Sequence, residues 1–442
     1  MTNKLSSVAH PAFPRAPSAA IDDPTPADQA VYVPSVTPGF AKHVFKNQWT
    51  RDLPNGVKGS DLNPLAPNSL FQISHAMSSA GQAANQKQDC IITTRDRKRT
   101  RLICDSGGYQ IATKQLEIRT DADRLKILRW IETHGDFGMT LDVPTGPVLT
   151  DPDYSYKTTQ DCLRATLDHL EFFRKHRKPG RVKLLNVLQG NTLIETDAWY
   201  DAVKGFEFEG WAFAGKFRHN MYALCRRIIM MIDQGQIHDK TWIHVLGTSE
   251  LDVAVMLTAL QRAINEHVNP NLRISFDTSS AFRHLSFNLM YTTQTISSRR
   301  MTMQTSRPPD GAQFIKSDLP WVWSSPLGDR MVLGDFCVPK PKKSTRYRDS
   351  QSYHYLAHHN LATLCSGIAL ANRLFDCDII SRKYTFASSV GRAAEAIGTV
   401  IKAGDMSTLE KFRGEFAGVR HSPKYIDEER DVFKQDEDFF GK

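Results

Sequence analysis

The sequence predicts an α/β fold, a TIM (β/α)8 barrel with insertions, and two observations lead there. Short apolar runs end in small or chemically capable residues, and helix-length stretches separate them. From Asp105 the steps to Asp142, Gln189, Gly215, Gly247 and Asp277 are 37, 47, 26, 32 and 30 residues, each near or above the length of a strand-helix unit. A chain that repeats strand then helix builds a parallel sheet, and a closed parallel sheet aims every strand C-terminus at one face.

Taken in order, residues 1–40 hold seven prolines among Ser, Ala and Asp, too little contiguous apolar material for a packed element, so they predict an extended or disordered arm. Residues 45–385 carry the barrel. Its runs are Arg101 to Cys104, ending in Asp105-Ser106-Gly107-Gly108-Tyr109-Gln110; Phe137 to Leu141, ending in Asp142; and Lys183 to Leu188, ending in Gln189-Gly190. Gly210 to Ala214 then ends in Gly215, Trp242 to Leu246 in Gly247, and Leu272 to Phe276 in Asp277. A polar, Ser/Thr-rich stretch around Thr292 to Asp310 predicts an insertion or mobile loop. Residues 386–442 predict a helical C-terminal extension, through Ala393 to Ala396 and Leu409 to Phe416, with an acidic tail around Asp427 to Asp438. Carboxylates gathered at the open face of such a barrel suit cleavage and re-formation of a glycosidic bond.

Composition bounds the class. At 442 residues with 40% hydrophobic content the chain can bury a large core. No apolar run approaches the roughly 18–20 residues that span a bilayer, and the N-terminus lacks a signal-peptide plan, so a soluble, cytoplasmic protein without a membrane partner is expected. The seven dispersed cysteines predict reduced thiols rather than a disulfide framework. The net charge of +8 favours a polyanionic partner. It concentrates at Arg95 to Arg101 (with Arg97, Lys98 and Arg99), at Arg174 to Lys178, and at Lys340 to Arg348. Any one cluster could be a solvated loop; three interleaved with barrel strands predict a basic rim around the site mouth.

Asp105-Ser106-Gly107-Gly108-Tyr109-Gln110 resembles the Asp-Ser-Gly-Gly-Phe-Gln signature of the tRNA-guanine transglycosylase superfamily. The resemblance continues in order through Leu141-Asp142, Val187-Leu188-Gln189-Gly190 for the family's Val-Gln-Gly-Gly, and Gly210 to Gly215 for its Gly-Tyr-Ala-Ile-Gly-Gly. Val245-Leu246-Gly247 then stands for its Leu-Met-Gly, and Phe276-Asp277 with Arg283 for its nucleophile segment. The family fold is a TIM barrel with insertions. The resemblance implies that Asp277 is the nucleophile on the sugar C1′ and Asp105 the general acid/base. It further implies that Asp142 and Gln189 read the base edge, that Ser106 and the Gly215 backbone add hydrogen bonds, and that Tyr109 and Leu246 sandwich the heterocycle. Arg283 joins the nucleic-acid contacts. Two displacements retain configuration, and no cofactor is required for the chemistry.

Three departures point to a branch. Where the tRNA enzymes hold zinc with Cys-x-Cys-x-x-Cys and a later His, this chain keeps only Cys337, with His359-Asn360-Leu361 and His354, His358 and Cys365 nearby, so structural zinc is possible on a degenerate motif. The acidic residue that bacterial tRNA enzymes use near a 7-aminomethyl group matches Asn220, which suits a neutral nitrile, 7-cyano-7-deazaguanine, as incoming base. No C-terminal RNA-binding module is recognisable. Together these resemble the DNA-modifying branch, which inserts 7-deazaguanines into DNA in bacterial modification islands and phages, with companion modification proteins. The target guanosine would flip out of the duplex. The alternatives are a tRNA-guanine transglycosylase and a non-catalytic nucleic-acid-binding subunit.

Overall fold

The computed structural model describes residues 26–417 and 419, apart from 86, 87 and 343. Residues 1–25 of the expected arm and the expected acidic tail lie outside the described residues. Eight parallel strands form one sheet: β1 (Val31–Pro34), β2 (His75–Ser79), β3 (Arg101–Asp105), β4 (Phe137–Met139), β5 (Lys183–Leu188), β6 (Gly210–Phe213), β7 (Trp242–Val245) and β8 (Arg273–Thr278). Neighbours follow chain order from β2 to β8, and β1 pairs with β8. The two edges meet where Ser35 bridges Met77 and the Val36 N–H donates to the Met77 carbonyl at 3.0 Å, so the sheet is a nearly closed TIM-like barrel ringed by helices.

Two of the strands correct the expected layout. Val31–Pro34 is wholly buried and is the first barrel strand, so the arm ends before it; the four-residue strand is hidden between prolines, and Pro34 is tolerated at its end. His75–Ser79 is too polar to stand out, yet Met77 joins the inner core. The stretch around Thr292 to Asp310 is an insertion, but it opens with an antiparallel hairpin, β9 (Met290–Ile296) and β10 (Met301–Ser306), packed on the helix Ser350–Phe375. Its Thr-rich strands are half exposed, which suits β-branched polar residues on a pleated surface.

The helices start where local chemistry says they should. Thr120, Thr158 and Thr192 each cap a helix N-terminus and are bonded back by Asp123, Asp161 and Glu195 three residues on, capping boxes of about 1 kcal/mol each. As expected, the C-terminal region is helical: Ser388–Ala403 packs across Leu251–His267, which explains why that helix is buried almost all round. Among the described residues no helix is long and apolar enough to cross a membrane.

Candidate active site

Strand alternation decides what the barrel axis holds. Ile103 of β3, Val187 of β5 and Trp242 of β7 face the inner core. Two residues on, Asp105, Gln189 and His244 point the same way, and Leu246 packs onto that core from above. Ser275 and Asp277 share the inner face of β8, where His244 and Ser275 are register partners.

Asp277 is buried, and its Oδ1 accepts the Gly247 N–H at 2.9 Å and lies 3.2 Å from His244 Nε2. His244 Nδ1 is 2.7 Å from Ser275 Oγ, which also accepts the Trp242 indole N–H at 2.7 Å. Sequence reasoning missed His244, Ser275 and Trp242. Their signal was present as polar residues at alternate positions of otherwise apolar strands, in phase with Asp277.

Asp142 lies three residues beyond β4, buried, with its Oδ2 accepting from Gln189 Nε2 at 2.7 Å and its Oδ1 from Ser106 Oγ at 3.4 Å. Burial pushes its carboxyl up to about 7; the Gln189 bond opposes this and the charge of Asp105 adds to it. Burial also holds the Asp105 carboxyl above the ordinary carboxylate range, against hydrogen bonds from the Ser79 hydroxyl and the Gly107 N–H and with reinforcement from Asp277. Asp142 thus feels Asp105, and Asp105 feels Asp277. The three acids named from sequence occupy one site.

Two glycines let the backbone close around it. Gly107 has φ +116°, and a Cβ there would sit 2.9 Å from the Gly81 Cα, so only glycine admits the turn that starts the helix Gly108–Ala112 beside Asp142. Tyr109 rides on that helix with the Arg283 guanidinium 5.7 Å from its ring centre, which brings two predicted contact residues together. Gly215 has φ +58°, and a Cβ there would lie 2.8 Å from the Gly190 carbonyl and 3.4 Å from Gln189 Oε1. Asn220 serves as N-cap of the helix Met221–Asp233, its Oδ1 accepting the Ala223 N–H at 3.0 Å while its Nδ2 is buried without a partner.

The expected basic rim needs correction. Arg97, Lys98 and Arg99 precede β3, so they lie at the strand N-termini, the end of the barrel opposite Asp105. Arg97 is bonded there to the Thr133 and Gly135 carbonyls and lies 3.5 Å from Asp136. Arg174 to Lys178 precede β5 and share that end. The third cluster, Lys340 to Arg348, follows β8 in the chain, just before the helix Ser350–Phe375, and there Arg346 and the buried Arg348 pair with Asp310.

Of the residues named for zinc, the two candidates Cys337 and His359 are turned to other partners. His359 has both ring nitrogens engaged, Nδ1 with Ser325 Oγ at 2.8 Å and Nε2 with the Tyr291 carbonyl at 2.9 Å. The Cys337 thiol faces the Pro309 carbonyl at 3.7 Å. Among the described residues no group of three or more His, Cys, Asp or Glu side chains gathers to hold a metal.

The chain matches no known family model and no curated protein at a significant level.

Proposed function

We propose that this protein is a DNA-guanine transglycosylase, a pentosyltransferase that exchanges guanine in DNA for 7-cyano-7-deazaguanine through a covalent aspartyl-deoxyribose intermediate. The supporting observation is the grouping of Asp277, Asp105 and the Asp142–Gln189 pair at one barrel mouth, in the chain order of the superfamily motifs.

In this reading an Asp277 oxygen bonds to C1′ as the C1′–N9 bond breaks; the electron pair leaves with guanine, which takes a proton from Asp105. The upward push on the Asp105 carboxyl suits a group that must hold that proton. The incoming base then returns a ring N–H proton to Asp105, its nitrogen bonds to C1′, and Asp277 departs. Asp142 can accept from the N1–H and 2-amino group of guanine, and Gln189 can donate to its O6. Tyr109 and Leu246 bracket the ring, and Arg283 reaches a phosphate beside it.

With two of three basic clusters away from the mouth, charge gives little reason to prefer DNA, and tRNA is the alternative substrate. Labelled-guanine exchange offered DNA and tRNA in parallel, with mass spectrometry for the 7-cyano base and Asp277→Ala as control, tests the proposal. Exchange into tRNA alone overturns the choice of substrate. Nucleic-acid binding without exchange or trapped adduct, for either substrate, would favour the non-catalytic subunit.

A further inference from the structure

We propose that His244 is a positioning residue for Asp277, fixed by a one-way hydrogen-bond relay from Trp242 through Ser275, which leaves Oδ2 of Asp277 as the attacking oxygen. The part of this that concerns attack rests on the transglycosylase reading; the relay itself does not.

The direction of the relay follows from the donors. An indole N–H can only donate, so at 2.7 Å from Trp242 Nε1 the Ser275 oxygen accepts. The Ser275 hydroxyl proton then needs an acceptor of its own. Ser275 and His244 are both fully buried, and His244 Nδ1 stands 2.7 Å away. If Nδ1 accepts, the ring proton belongs on Nε2, the atom 3.2 Å from Asp277 Oδ1. In this arrangement every proton along the line meets an acceptor. With the imidazole reversed or doubly protonated, Nδ1–H and the indole N–H both point at the Ser275 oxygen, and its hydroxyl proton must find another partner in the dry interior.

The consequence falls on Asp277. The Nε2–H of His244 and the N–H of Gly247 both end on Oδ1, which turns Oδ2 toward the incoming C1′. Once Oδ2 bonds to C1′, Oδ1 becomes the carbonyl oxygen of the ester. The same two donors then stabilise the charge that returns to the carboxylate when the second displacement breaks the Oδ2–C1′ bond, and the Nε2 proton stays on His244 in both steps.

The test uses the full-length protein with ¹⁵N-labelled histidine, the His244 signals being assigned by their loss in His244→Gln. Nitrogen shifts should report a neutral ring protonated on Nε2, and Ser275→Ala should mix the tautomers. In exchange assays Ser275→Ala should slow adduct formation about 10-fold and His244→Ala about 10²-fold, with KM for DNA unchanged, and His244→Gln should recover part of the rate because its amide can still donate. A ring protonated on Nδ1, or charged, in the wild-type protein overturns the relay. Wild-type rates in Ser275→Ala and His244→Ala overturn the positioning role. If the wild-type protein exchanges no base at all, it is the transglycosylase reading that fails, and the nitrogen shifts still decide the relay.

Discussion

Asp142 gives the sharpest prediction because it turns geometry into a pH-dependent stability without assuming any activity. Its carboxyl is pushed up to about 7 by burial, while in the unfolded chain an aspartate titrates near 3.9. Below about pH 4 the carboxyl is neutral in both states and costs the fold nothing. Between these values the folded state binds more protons than the unfolded one, so its stability falls as pH rises, by about 1.4 kcal/mol per pH unit and about 4 kcal/mol in all. Asp142→Asn keeps an oxygen for the Gln189 N–H, presents its amide N–H to the Ser106 hydroxyl oxygen in place of the second carboxylate oxygen, and removes the titration. Urea denaturation of both proteins from pH 4 to pH 8 should therefore show the variant gaining on the wild type steadily, levelling off above about pH 7. A stability difference that does not change across this range would mean that Asp142 ionises normally, and the account of a desolvated base-reading acid would fall with it.

Asp105→Asn should slow adduct formation about 10²-fold, the weight of a positioned acid. Single-turnover rates should show, in the wild type only, a decline as pH rises through the elevated Asp105 titration. Replacing Lys98 and Arg99, both exposed at the far end of the barrel, should leave the salt dependence of DNA binding unchanged; a flatter slope would put DNA at that end. Adding Arg97→Ala should cost about 1–2 kcal/mol, because Arg97 ties down the Thr133 and Gly135 carbonyls, as a urea midpoint would report. Asn220→Asp keeps an oxygen for the Ala223 N–H and adds an anion, so the helix should stay capped while preference shifts from the nitrile base toward the aminomethyl base. Unchanged base preference in that variant, read by competition of the two bases, would detach Asn220 from specificity.

What the sequence revealed and concealed follows one physical division. Six strands were legible because each is a run of apolar residues ending in a small or polar residue, as Asp105 ends Leu102 to Cys104. Val31–Pro34 and His75–Ser79 lack that contrast: one lies among prolines, the other offers Met77 as its only large apolar side chain, and both are strands because their neighbours in the sheet supply partners for their backbone. The acids of the site were legible for the same reason as the strands they end. His244 and Ser275 lie inside their runs, where a polar residue looks like an interruption until its phase with Leu246 and Asp277 is counted.

The misreading of the basic clusters has a different cause, the direction of the chain. In a parallel barrel every strand enters at one end and leaves at the other, so a cluster before a strand and a cluster after it are separated by the height of the barrel. Arg97 and Asp105 are only eight positions apart along the chain, yet Arg97 bonds to the backbone just before β4 while Asp105 shares its field with Asp277 at the close of β8. Charge that is to meet a nucleic acid at this mouth has to come from segments that follow strands. Arg283, just past β8 and resting on Tyr109, satisfies that condition, and residues 279–349, which join β8 to the helix Ser350–Phe375, are the longest segment that does. On the transglycosylase reading, contacts to the sugar-phosphate backbone on either side of a flipped guanosine are therefore to be sought in that insertion, which carries the third basic cluster, rather than in the two clusters that precede β3 and β5.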